Sequence, residues 1–206
     1  MKTKALISIL IAISFFGCKS PTESAQSQSN FSLQKAWIYS DLTIDPIDSV
    51  KMSVIDSVFI DSTTIHSGKT NYWLSNNNVI IVDSNGFMTG YDGTGCLCDA
   101  FKIPATTGDT VSRHDSIPTK VNGNVEFGRI IIFVENADTS ITLPAGTFRC
   151  AEFEIIVSIY NNPTGSRGFS FISPTVGLIE SDSYTIDSAT GKIYLSSRKQ
   201  LIRTVK

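Results

Sequence analysis

The chain has 206 residues, 17 of them basic and 19 acidic, for a formal net charge of −2. No basic stripe runs along it, which argues against nucleic acid and anionic lipid surfaces as partners. Its 41% hydrophobic content is enough for one domain with a sizeable core.

Met1 to Gly17 reads as a segment outside the fold. Lys2 and Lys4 form a short positive n-region, and Ala5 to Phe16 is an apolar run too short to span a bilayer comfortably. The run closes on Phe15-Phe16-Gly17-Cys18, a small residue directly before a cysteine. This resembles a bacterial lipoprotein signal, in which Cys18 becomes the acylated first residue of the mature chain. An ordinary secretory signal cut elsewhere, or an uncleaved anchor, is the alternative, although no Ala-x-Ala site competes nearby. Acyl chains on one residue would hold the protein to a membrane without a spanning helix. Cys18 to Ser32 is polar and rich in Ser and Gln, cannot bury enough surface to fold, and reads as a flexible tether. Residues 33–206 then form a single domain. Removing the signal takes two lysines and no acid, leaving 15 basic against 19 acidic side chains and a net charge of −4.

Within that domain, strand-like elements recur with turn signals every eight to twelve residues, and no helical period runs long enough to matter. Ala36 to Ile44 sets Ala36, Ile38, Leu42 and Ile44 against Trp37, Tyr39 and Asp41, and Pro46 stops it. Met52 to Ile60 places Met52, Val54, Val58 and Ile60 on one face. Tyr72-Trp73-Leu74 is a short strand bounded by Gly68 and Asn76-Asn77-Asn78. Asn85-Gly86, between the apolar runs Val79–Val82 and Phe87–Tyr91, is a strong hairpin signal. A loop carrying Cys96 and Cys98 follows, then a brief Phe101–Ile103 strand. Thr106 to Lys120 is polar and reads as the longest irregular segment. Val125 to Val134 is a strong strand that turns at Glu135–Asp138 into Thr139–Leu143.

The stretch Ile141 to Cys150, ITLPAGTFRC, comes next. Pro144 suits the second position of a turn because its ring presets φ, and Gly146 suits a left-handed position after it. Along the strand from Thr147 to Tyr160, Phe148 and Cys150 share one parity, whereas Ala151, Phe153, Ile155, Val157 and Ile159 share the other. Either both faces are buried or a bulge sits near Ala151–Glu152; the bulge is the favoured reading. Phe169–Ile172, Leu178–Ile186 and Ile193–Ile202 finish the sheet. About eleven strands and no clear helix predict an all-β fold, mostly antiparallel, as a strongly curved sheet or an open β-barrel.

ITLPAGTFRC followed by SPTVGLIE, Ser173 to Glu180, resembles the PAGTF…PGVGLV signature of uncharacterised bacterial exported proteins and lipoproteins. Lys102-Ile103-Pro104 before Gly108-Asp109 is similar to a turn of that group, and Tyr91-Asp92-Gly93 matches its style. The resemblance covers roughly Met52 to Lys206, with Thr175 standing where the family usually has Gly. It implies a curved β-sheet at the cell envelope, and it implies no reaction and no catalytic residues.

Cysteines are the most chemically suggestive residues left. An exported protein meets oxidising conditions, so a disulfide is the first expectation. A bond between Cys96 and Cys98 would be strained, so Cys150 is expected to pair with one of them. That bond would close a loop of about 50 residues and contribute about 4 kcal/mol. The plainer alternative is small, buried thiol side chains in a sheet. Cys-x-Cys is not a structural zinc spacing, and a metal site would need His66, His114 or Asp99 in addition. No Cys-x-x-Cys suggests a redox centre, no Gly-x-Ser-x-Gly a hydrolase, and no glycine-rich loop a nucleotide site. Asp83-Ser84-Asn85-Gly86 lacks the acid that would close a calcium loop. Repeated Asp-Ser and Asp-Thr pairs resemble the short O-glycan acceptor pattern of some Bacteroidota envelope proteins; turns and solvent-facing strand positions account for them more simply.

These readings converge on a non-enzymatic, lipid-anchored protein of the bacterial cell envelope. The placement expected is the outer membrane, on its periplasmic or surface face, with no cofactor. Two roles follow from the same alternating strands. In one, the sheet curves around an apolar hollow that binds a hydrophobic or lipid-like ligand. In the other, the interior is solid and an edge or loop engages an envelope protein. An enzyme using Cys96, Cys98 or His114 is the third and weakest expectation.

Overall fold

The structure, a computed structural model, describes residues 35–45, 50–91, 101–121, 124–159, 162–186 and 190–205. Twelve strands form in chain order: Ala36–Ile44 (β1), Val50–His66 (β2), Lys69–Leu74 (β3), Asn78–Asp83 (β4), Gly86–Tyr91 (β5) and Phe101–Ile103 (β6). Thr110–Val121 (β7), Asn124–Leu143 (β8), Gly146–Ile159 (β9), Asn162–Ser173 (β10), Gly177–Ile186 (β11) and Ile193–Val205 (β12) complete them. All belong to one antiparallel sheet in the order β6-β5-β4-β3-β2-β1-β12-β11-β10-β9-β8-β7. The sheet curls into a nearly closed barrel, and the expected all-β single domain is what forms.

Hairpin chemistry sets the register. Ser84 and Asn85 form the tip between β4 and β5, where the Asn85 amide donates to Asp83 Oδ1 at 2.8 Å. Gly86 then begins β5 at φ +133°, and a Cβ there would overlap the Ile103 carbonyl oxygen of β6. Glycine is therefore required both by backbone angle and by the close approach of a neighbouring strand. Pro144-Ala145 turns β8 into β9, with Leu143 paired to Gly146 at φ +131°. Both turn residues singled out in ITLPAGTFRC hold these jobs.

Two sequence readings are corrected. Most of Thr106–Lys120, read as irregular, belongs to the edge strand Thr110–Val121, hydrogen-bonded on one side to β8. Its Pro118 is tolerated because an edge strand has donors to spare. The bulge favoured at Ala151–Glu152 is absent, since β9 keeps an unbroken register with β10 from Ala151 to Val157. Cys150 and Ala151 are both buried, as are Phe153 and Glu154, so both faces of β9 are covered there. The irregularities lie in β8 instead, between Val134 and Thr139. There the residues just before β7 continue its ladder with β8 past Thr110 and Phe133. Gly108 N–H donates to Val134 O and Val134 N–H to Asp109 O, both at 2.8 Å, and Ala137 N–H donates to Thr107 Oγ1. The extra residues of β8 thus fall just past the point where its ladder with the β7 side ends.

The core fills one half of the barrel. Trp37, Val58, Ile60, Ile80, Phe87, Ile103, Ile132, Val134, Phe153, Ile172, Ile179 and Leu201 form one buried cluster contributed by both arms of the sheet. Phe153 is fully buried and meets the ring of Phe101 edge-on at 5.2 Å. Strand β2 explains why the filling stops. It pairs with β1 through Phe59, then shifts register and pairs with β3 from Ile60 onward. Val58 and Ile60 are covered, whereas Val54 and Met52, on the same face further from β3, are 43% and 55% exposed.

Candidate functional site

Where the filled and open halves of the barrel meet, β1, β2, β11 and β12 face the β3–β4 turn, β5 and β6 across a cavity of about 190 Å³. Its walls are mostly apolar: Trp37, Tyr39, Val58, Leu74, Ile80, Phe101, Ile172, Val176 and Leu178. Asn76, Asn78, Thr89 and Lys199 supply polar groups. The aromatic parity of β1, rather than its aliphatic parity, points inward; Trp37 and Tyr39 are 2% and 4% exposed.

The second stretch singled out, SPTVGLIE, forms one wall. It is the β10–β11 turn and the start of β11, and its carbonyls are bound from β1. Trp37 Nε1–H donates to Val176 O at 2.7 Å, and the Tyr39 hydroxyl donates to Leu178 O at 3.1 Å. Buried Trp and Tyr thus satisfy their polar ends on backbone while their rings line the hollow. Burial, with the Asp56 charge added, pushes the Tyr39 hydroxyl far above its ordinary range, so it stays a neutral donor.

Beside Tyr39 sits the one charged group of the lining among the described residues. Lys199 Nζ lies 2.9 Å from both Asp41 and Asp56 and 5.2 Å from the centre of the Tyr39 ring. Burial pulls the Lys199 ammonium down, but the hydrogen bonds to Asp56 and Asp41 outweigh it and raise its pKa. A second set of charges lies on the other parity of β9 to β12. Arg198 binds Asp182 bidentately at 2.7 and 2.6 Å, Gln200 donates to Glu180, and Arg167 pairs with Glu154. Glu154, Glu180 and Asp182 are buried, and burial lifts Glu180 above the usual carboxylate range against the Gln200 hydrogen bond. These pairings satisfy the buried carboxylates and read as structural.

Among the described residues, those singled out for chemistry do not come together. Cys150, expected in a disulfide, is a free, buried thiol whose Sγ–H donates to Phe148 O at 3.4 Å. Burial raises its pKa, which makes it a poor nucleophile. Its expected partners Cys96 and Cys98 lie outside the described residues, as do Cys18, Asp99, the signal and the tether. His66 ends β2 at an exposed turn, whereas His114 lies on edge strand β7 opposite Ile130. Asp115, beside His114, is held by Arg113 and Arg129, which lower its pKa through their hydrogen bonds. Among the described residues no three His, Cys, Asp or Glu side chains come together to hold a metal.

Sequence reading missed the Lys199 cluster. Its only local signal was Asp41 sharing the parity of Trp37 and Tyr39, an acid on an aromatic face.

No protein-family model matches the chain, and no curated protein matches it. Solved structures do. A Bacteroides fragilis protein described as exported, with a YmcC-like fold, superposes with a TM-score of 0.53 at 15% identity, over 85% of this chain and 97% of that one. A Parabacteroides distasonis protein described as a lipoprotein gives 0.42 at 17% identity, over 86% and 98%. The first likeness shows a shared fold: the twelve-stranded sheet described above is YmcC-like.

Proposed function

We propose that this protein is a non-enzymatic lipoprotein of the bacterial cell envelope whose barrel takes up a small apolar group. Acyl chains on Cys18 hold it to the membrane, and residues 18–32 give the domain reach. The n-region, apolar run and Gly17-Cys18 step support the anchor, and the YmcC-like fold of an exported Bacteroides protein agrees with it. Replacing Cys18 with alanine is expected to move the protein from the membrane fraction to the soluble fraction; continued membrane retention would refute acylation there.

The observation that carries the binding role is the apolar cavity of about 190 Å³ beside Trp37. Its size limits the ligand. An apolar cavity of about 150 Å³ holds benzene, whereas sites for drug-sized ligands run from about 300 Å³ upward. The occupant is therefore one ring or the end of one chain, and a whole diacyl lipid does not fit.

Trp37 is a built-in reporter, since the chain has two tryptophans and Trp73 can be replaced by Phe. In that background 8-bromooctan-1-ol is expected to quench Trp37 saturably. Thr89→Phe, which puts a ring into the hollow, is expected to weaken the quench tenfold or more. Quenching that never saturates, or that ignores the added ring, would sink the binding role.

A further inference from the structure

We propose that the cavity selects amphiphiles with an uncharged or cationic polar end and rejects carboxylates and phosphates; this rests on reading the cavity as a ligand site. A lysine at the edge of an apolar hollow suggests, at first sight, an anchor for a fatty-acid carboxylate. The geometry around Lys199 points the other way. Its ammonium lies 2.9 Å from Asp41 and 2.9 Å from Asp56, so two of its three N–H donors are committed. One cation between two anions leaves the cluster with a net negative charge.

The cluster is also partly withdrawn from water, with side chains 25%, 39% and 41% exposed for Lys199, Asp41 and Asp56. Screening there is weaker than in bulk solvent, so an incoming anion meets both carboxylates at more than their surface strength. Lys35 lies 5.6 Å from the centre of the Trp37 ring but outside the cavity lining, and counting it brings the region only to neutrality. The remaining polar lining, Asn76, Asn78 and Thr89, offers neutral donors and acceptors suited to a hydroxyl or amide. Asp41 and Asp56 would accept from an ammonium.

Three probes of one chain length test this at pH 7.5 through Trp37 quenching in the Trp73→Phe background: 8-bromooctan-1-ol, 8-bromooctanoate and 8-bromooctylamine. The alcohol is expected to bind at least tenfold more tightly than the carboxylate, with the amine matching or exceeding the alcohol. In Asp41→Asn/Asp56→Asn the ammonium is released from its two anions, and carboxylate affinity is expected to rise tenfold or more. Lys199→Gln keeps both carboxylates, so the amine should gain on the alcohol; this single change serves if the double variant fails to fold. Carboxylate binding equal to or tighter than the alcohol in the parent protein would overturn the selectivity while leaving the cavity a binding site. If none of the three quenches saturably, both readings fall.

Discussion

Gly86→Ala is expected to destabilise the domain by about 4 kcal/mol, read as a lowered urea midpoint at unchanged slope. Two costs combine. The backbone at φ +133° lies in a region that L side chains rarely adopt, and a Cβ would overlap Ile103 O and sit 2.7 Å from Pro104 Cδ. Neither neighbour is the far end of a flexible side chain, so the overlap is relieved only by moving β6 away from β5. Gly68→Ala supplies the control. Gly68 also has positive φ, +76°, but nothing lies within 4 Å of where its methyl group would stand, and a cost of about 1 kcal/mol is expected from the backbone alone. Equal losses at the two glycines would show that the β5–β6 approach contributes nothing.

Phe153→Ala is expected to cost a similar amount, about 4 kcal/mol. Phe153 is fully buried where the two arms of the sheet meet, with its ring against Phe101 of the short strand β6. Removing it loses the transfer free energy of the ring and leaves a cavity that a stiff sheet closes poorly. Because β6 has only three residues and pairs with β5 alone, its hold on the barrel depends on side-chain packing. A loss below about 1.5 kcal/mol would mean that the site collapses and that β6 is held by other contacts.

Local chemistry was readable in the sequence, and long-range pairing was not. The Asn85-Gly86 signal, the Pro144 and Gly146 turn and the alternation of β1 and β2 each depend on neighbours within a few residues, and each element forms where those signals lie. Strand β7 escaped notice because an edge strand needs little apolar alternation; Thr110, Ser112, Arg113 and Asp115 look like a loop until β8 is beside them. The bulge was assigned to the wrong strand for a related reason. A parity change in β9 shows that both its faces are covered, but the irregularity itself lies in β8, between Val134 and Thr139. The cavity is the extreme case: Trp37 reaches Val176 across 139 positions and Lys199 reaches Asp56 across 143. Apart from Asp41 on the aromatic face of β1, nothing local to those residues announces the meeting.

The pairing of β1 with β12 has a consequence for the speed of folding. Ala36 is opposite Val205, so the first and last strands of the chain are neighbours at the middle of the sheet, while its two free edges come from strands that adjoin in sequence. A chain truncated before Ile193 would hold β1 to β6 and β7 to β11 as two separate meanders, with β1 and β11 each presenting a bare edge. Joining them demands closure of a loop spanning nearly the whole domain, which places the fold among slow, high-contact-order folders on the millisecond-to-second scale. Of all the strand pairings in the sheet, β1 with β12 closes the longest loop and carries the largest entropic cost.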